Sequence, residues 1–133
     1  MKQITFQLKK GQHLKGEIEK IAIENDIKAG VLLAAVGGLE NAVLRMAGST
    51  PEKHVAKRWD EPLDIISATG TISKEGCHIH VSLANEKGEM IGGHLKGGCV
   101  VRSTVELVIG IFEDVSYRRV LNEETGYLEL KVE

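Results

Sequence analysis

Between Gly76 and Val101 the chain reads GCHIHVSLANEKGEMIGGHLKGGCVV, a stretch that leaves its backbone few options. Ile79, Val81 and Leu83 alternate with His78, His80 and Ser82, the period of two required of a strand with one buried face. Asn85-Glu86-Lys87-Gly88 is turn chemistry, with Gly88 able to take a positive φ, and Glu89-Met90-Ile91 begins a returning strand. The expectation is a β-hairpin whose second arm lays Gly92, Gly93 and His94 beside His78 to Ser82. Register decides the face His94 takes, since a slip of one residue reverses it.

Two residues along a strand a side chain returns to the same face, about 6.6 Å away, so His78 and His80 can converge on one ion at bonds of about 2.1 Å. With His94 as a third imidazole, the pattern is three protein ligands and one open position, as in catalytic zinc sites. His78, His80 and His94 are therefore the candidate ligands for Zn²⁺ or another divalent metal. A bound water at such a centre has its pKa lowered toward ~7 and can act as nucleophile or base. The alternative reading of the same histidines is a polar strand face or an oligomer contact. Cys77 falls on the opposite face of a regular strand and Cys99 lies beyond a further glycine pair, so neither is an easy fourth ligand. Both read as small buried thiols.

The rest of the chain supplies the frame. Gln3 to Leu8 alternates as a strand, and Gln12 to Asn25 carries Leu14, Ile18, Ile21 and Ala22 at helical spacing, with a stop at Asn25-Asp26. Ala29 to Val36 is continuously apolar and predicts a strand buried on both faces, ended or bulged by Gly37-Gly38. Leu39 to Met46 predicts a strand returning along it, with Arg45 facing opposite to Leu44 and Met46. Gly48 to Glu61 has no period and predicts a long loop. Leu63 to Ile72 is a strand with a bend expected at Gly70, and Ser103 to Phe112 is a β-branched strand. Val115 to Leu121 and Tyr127 to Val132 close the chain as a pair flanking Asn122 to Gly126. The expected class is α+β: a single domain over residues 1–133 with a mainly antiparallel sheet of about eight strands and one main helix.

Charge narrows the function classes. Seventeen Lys and Arg against nineteen Asp and Glu, for a net charge of −2, give no basic field of the kind that condenses on nucleic acid. No apolar run approaches the ~20 residues that span a bilayer, and MKQITFQLKK lacks the apolar core of a secretory signal, so a cytoplasmic protein with no membrane partner is expected. Two cysteines suit a reducing compartment. Glu61, Arg45 and Glu89 are the candidates for acid–base or anion-binding roles beside the histidines, set against the commoner solvated role for each.

The stretch GCHIHVSLANEKGEMIGGHLKGGCVV, preceded by EPLDIISATGTI and followed by STVELVIG, resembles the plants-and-prokaryotes conserved (PPC) domain over nearly the whole chain. The specific parts are His78-x-His80, Gly92-Gly93-His94 and Glu61-Pro62-Leu63. The resemblance implies a compact domain forming a homotrimer, with these histidines near subunit boundaries. Plant relatives join the domain to an AT-hook and bind AT-rich DNA. The Arg-Gly-Arg-Pro core that a hook inserts into the minor groove is absent here, so direct DNA binding is not expected and the prokaryotic, zinc-associated branch is the nearer likeness. A looser resemblance, by analogy of fold, is to acetolactate decarboxylase, a zinc enzyme that also uses an HxH pair and a later histidine. Two function classes follow: a metal-binding protein, with an enzyme on a small-molecule substrate as its extension, or a DNA-associated regulatory or assembly module without catalysis.

Overall fold

Leu14, Ile18, Ile21 and Ala22 recur along one face of α1 (Leu14–Glu24) and all four are buried in the structure, a computed structural model describing residues 1–133. The helix stops where the sequence does: Asn25 takes a non-helical conformation, and Asp26 follows at a φ of 47°. Burial of that apolar stripe, more than helix propensity, holds so short a helix in place.

Ten strands surround it: β1 (Lys2–Lys9), β2 (Gly30–Leu39), β3 (Ala42–Arg45), β4 (Ala56–Trp59), β5 (Leu63–Ser73), β6 (Gly76–Ala84), β7 (Met90–Leu95), β8 (Val101–Ile111), β9 (Tyr117–Leu121) and β10 (Leu128–Val132). The first eight form one antiparallel sheet in the order β1-β8-β2-β5-β6-β7-β3-β4, and β9 and β10 form a separate hairpin. Twenty-three buried side chains make one contiguous core joining α1 to one face of the large sheet, and none of them comes from β9 or β10. Period-two alternation does the sorting: Ile65, Ile79, Val81, Leu83, Leu95 and Leu107 point to the core, which sends their neighbours to the opposite, open face. The α+β class with one helix and a mainly antiparallel sheet holds.

Four local expectations change. β2 is not buried on both faces: Leu33 and Val36 are 49% and 57% exposed on the open face, because α1 covers one side of the sheet only. The segment after Gly38 does not return along β2. Its strand β3 crosses to the far side of the sheet and pairs with β7 and β4, while β2 pairs with β5 and β8. The 48–61 loop contains the short edge strand β4, exposed along most of its length. In β5 the register shifts between Ile65 and Ser67, not at Gly70.

Gly70 has a different purpose, which is close approach. It lies opposite Ile79 in the β5–β6 ladder, and a Cβ placed on it would stand 2.2 Å from the carbonyl oxygen of His78 and 2.8 Å from the Ile79 Cα. Backbone cannot yield at that range without separating the strands. The Gly70→Ala variant is accordingly expected to lose about 2 kcal/mol or more of unfolding free energy. Urea denaturation followed by circular dichroism measures it, and an unchanged midpoint would contradict the packing described.

Candidate metal centre

The β6–β7 hairpin is set by its turn. Asn85 Oδ1 accepts from the backbone N–H of Lys87 at 3.0 Å and of Glu89 at 2.9 Å, and Gly88 adopts a φ of +77°. This fixes the pairing His80 to His94, Val81 to Gly93 and Ser82 to Gly92. Because Ile79, Val81 and Leu95 go to the core, His78, His80 and His94 all emerge on the open face.

There the three imidazoles meet. His78 Nε2 lies 3.1 Å from His80 Nε2, ring centroids are 4.9 to 5.5 Å apart, and one ligand atom from each residue lies within 4.8 Å of the others. Tetrahedral coordination at bonds of about 2.0–2.1 Å places nitrogens about 3.4 Å apart. One pair is already near that spacing, and the His94 donor lies within 4.8 Å of both. The donor set therefore fits a borderline divalent ion held by three nitrogens.

Two of the imidazoles are also held toward the neutral form that ligates. Burial, followed by the Arg45 guanidinium, pushes His94 down to about 4, and burial with the neighbouring His80 lowers His78 from its ordinary range. The two thiols are not in the state to help. Burial raises Cys77 to about 11, on the α1 side of β6 near Lys15, and raises Cys99, whose Sγ accepts from the Val43 N–H at 3.3 Å.

Of the three acid–base or anion candidates, the structure brings Arg45 to the centre. Its position opposite His94 in the β3–β7 ladder lets Nη2 donate to His94 Nδ1 at 3.2 Å. The carboxylate of Glu89 is engaged in the turn, accepting from Asn85 Nδ2 at 3.1 Å, and Glu61 is exposed between β4 and β5. Neither lines the two cavities, of about 260 and 240 Å³, that adjoin the imidazoles and share Arg45, His94 and Tyr127. Tyr127 and Arg119 come from the C-terminal hairpin, which local sequence pattern had no means of placing over β6. Tyr127 stacks beneath the Arg45 guanidinium at 5.0 Å, and Arg119 Nη2 donates to Thr71 Oγ1 at 2.8 Å beside His78.

Residues 1–113 match the model of the Plants and Prokaryotes Conserved (PCC) domain, the PPC domain of the resemblance above. The Bifunctional protein GlmU of Synechococcus sp. (strain JA-2-3B'a(2-13)) is 35% identical over 133 residues, covering 100% of this chain and 20% of that protein. The chain thus spans about a fifth of the length of that curated relative. A hypothetical protein from Salmonella cholerae-suis has the same fold at a TM-score of 0.92 and 29% identity, with 99% of this chain and 93% of that one covered. A metal-containing protein from Archaeoglobus fulgidus superposes at 0.83 with 30% identity, over 98% and 94% of the two chains.

The depressed His94 has a consequence for stability without metal. The unfolded chain binds a proton near 6.5 and the folded one only near 4, so stability is full above 6.5 and falls as pH drops from 6.5 toward 4. Metal-chelated protein is expected to show this fall in melting temperature, and His94→Gln to show a shallower one. Parallel pH profiles for the two would contradict it.

Proposed function

The chain belongs to the Plants and Prokaryotes Conserved domain family, and from that premise we propose that it holds one divalent ion, zinc before others, on His78, His80 and His94 and works as a homotrimer. The single observation carrying the reading is the convergence of three imidazoles from adjacent strands within 4.8 Å. The relative from Archaeoglobus fulgidus, described as metal-containing at 30% identity, supports it. No cysteine or carboxylate completes a closed four-ligand shell, so a coordination position is left for water or a small oxygenated ligand. An ion held there supplies Lewis acidity and a bound water of lowered pKa, the chemistry of a metal-dependent reaction on a small substrate.

The chain's own groups prepare the site. The β6–β7 register aims the imidazoles, partial burial keeps His78 and His94 neutral, and Arg45 with Tyr127 walls one side. Support for the trimer lies on the same open face. Leu33, Val36 and Ile66 are exposed there, and Leu121, Leu128 and Leu130 are exposed on the β9–β10 hairpin, an apolar surface that copies of the chain would cover. The two free thiols suit the reducing conditions of a cytoplasmic protein. With a net charge of −2 and no hook tetrapeptide, tight binding to AT-rich DNA by this chain is no part of the reading.

Purified, untagged protein dialysed against zinc is expected to carry about one ion per chain by elemental analysis, and His80→Ala to carry almost none while retaining its circular dichroism. Equal, near-zero content in both would return the histidines to a polar surface. Light scattering at micromolar concentration is expected to give three times the 14.5 kDa chain mass, and a monomer mass would refute the assembly.

A further inference from the structure

Two guanidinium groups stand on either side of the imidazole cluster, and neither is paired with a carboxylate. Across the sheet, Arg45 lies opposite His94, His94 opposite His80, and Thr71 opposite His78. Arg119 reaches Thr71 from the hairpin above, so the arginines approach from different elements and different ends. Both are half-buried. Arg118, the neighbour of Arg119, faces two carboxylates, Glu75 and Glu133, at 3.5 Å each, which leaves Arg45 and Arg119 as the site arginines without an ion pair. Glu129 also lines the 240 Å³ cavity, but it is exposed and forms no salt bridge with either arginine. A half-buried guanidinium without a counter-ion is a binding group for an anion.

The contact between Arg45 and His94 adds a second constraint. Guanidinium offers donors only, so Nδ1 of His94 must be the acceptor. A neutral imidazole that ligates a metal gives the ion one lone pair and carries its proton on the other nitrogen. If the ion takes Nδ1, the lone pair that Arg45 uses is gone. If it takes Nε2, Nδ1 bears the proton and cannot accept. The Arg45 hydrogen bond and a metal on His94 therefore exclude each other, and loading the centre releases a guanidinium at its edge.

We propose that Arg45 and Arg119 form an anion clamp across the imidazole centre, which takes a small carboxylate- or phosphate-bearing ligand, and that metal binding frees Arg45 to join it. The inference rests on the metal reading above and names the class of ligand for the same site. Cavities of about 240 and 260 Å³ lie below the usual range for drug-sized molecules, so the ligand is one of a few heavy atoms beyond its charged group. One end of the anion faces the guanidinium groups while an adjacent oxygen reaches the open coordination position. Residues 114–133, which include Arg119 and Tyr127, lie outside the family match, so half of the clamp belongs to a segment that this family's pattern does not describe.

The test uses the full chain loaded with zinc, in a buffer free of competing oxyanions. Glycolate and methyl phosphate are titrated by calorimetry, and the cobalt-substituted protein reports ligand arrival at the metal through its visible spectrum. Wild-type protein is expected to bind at least one of the two, the stronger identifying carboxylate or phosphate as the natural group. Arg45→Gln and Arg119→Gln are each expected to weaken that binding about tenfold or more. Arg45→Gln should also bind zinc several-fold more tightly than wild type, having lost the competitor for His94, whereas Arg119→Gln should bind it as wild type does. Anion binding unchanged in both variants, or absent from zinc-loaded wild type, overturns the clamp and leaves the metal reading standing. Unchanged zinc affinity in folded Arg45→Gln overturns the release of Arg45. Wild-type protein that takes up no metal overturns both readings, and Arg119→Gln, on an exposed hairpin, keeps the test open should Arg45→Gln fail to fold.

Discussion

The register between β6 and β7 is the constraint on which the candidate centre depends. Strand side chains alternate, so the core needs of Ile79, Val81, Leu83 and Leu95 determine where the histidines go without any contact among the histidines themselves. Asn85 and Gly88 enforce that register from the turn, and the glycines opposite Val81 and Ser82 keep the strands close. The polar cluster is thus held by hydrophobic burial on the other side of the sheet. This arrangement suits a site whose own members repel when protonated.

That repulsion shapes the electrostatics. Imidazoles packed together, with Arg45 at one edge and Arg119 at the other, make a region in which positive charge is already in excess. Remaining neutral is how His78 and His94 accommodate it, and neutrality is what makes them useful donors of lone pairs. The same excess leaves the guanidinium groups looking outward for a negative partner. Hydrogen bonding to Thr71 and stacking on Tyr127 hold them in place without satisfying their charge.

Much of this was legible in the chain because it is local. The apolar positions of α1 are one helical face, and the hairpin from Gly76 to Leu95 has its pattern and its turn within twenty consecutive residues. The alternation put His78 and His80 on one side, and the register that the turn sets brings His94 to the same side. What escaped was non-local. Nothing in Leu39 to Met46 says that its strand leaves β2 for β7, since Ala42 and Leu44 call for a buried face without naming the strand beside it. Arg119 and Tyr127 sit in an exposed hairpin whose alternation is indistinct, and their proximity to His78 arises from how β9 lies across β5. The apolar run of β2 suggested two covered faces, but α1 packs on only one of them, which leaves Leu33 and Val36 exposed.

The strand order carries an implication for how the molecule is made. β6 and β7 are adjacent in sequence and need close only a four-residue turn, whereas β1 must wait for β8, and β3 for β7, across spans that cover much of the chain. Pairing across short loops is faster, because less chain entropy is lost before contacts form. The pairing that sets His80 opposite His94 therefore requires no residue of β8. Arg119 and Tyr127 follow the hairpin in the chain, so the ligating residues are synthesised before the groups of β9 and β10 that stand over them.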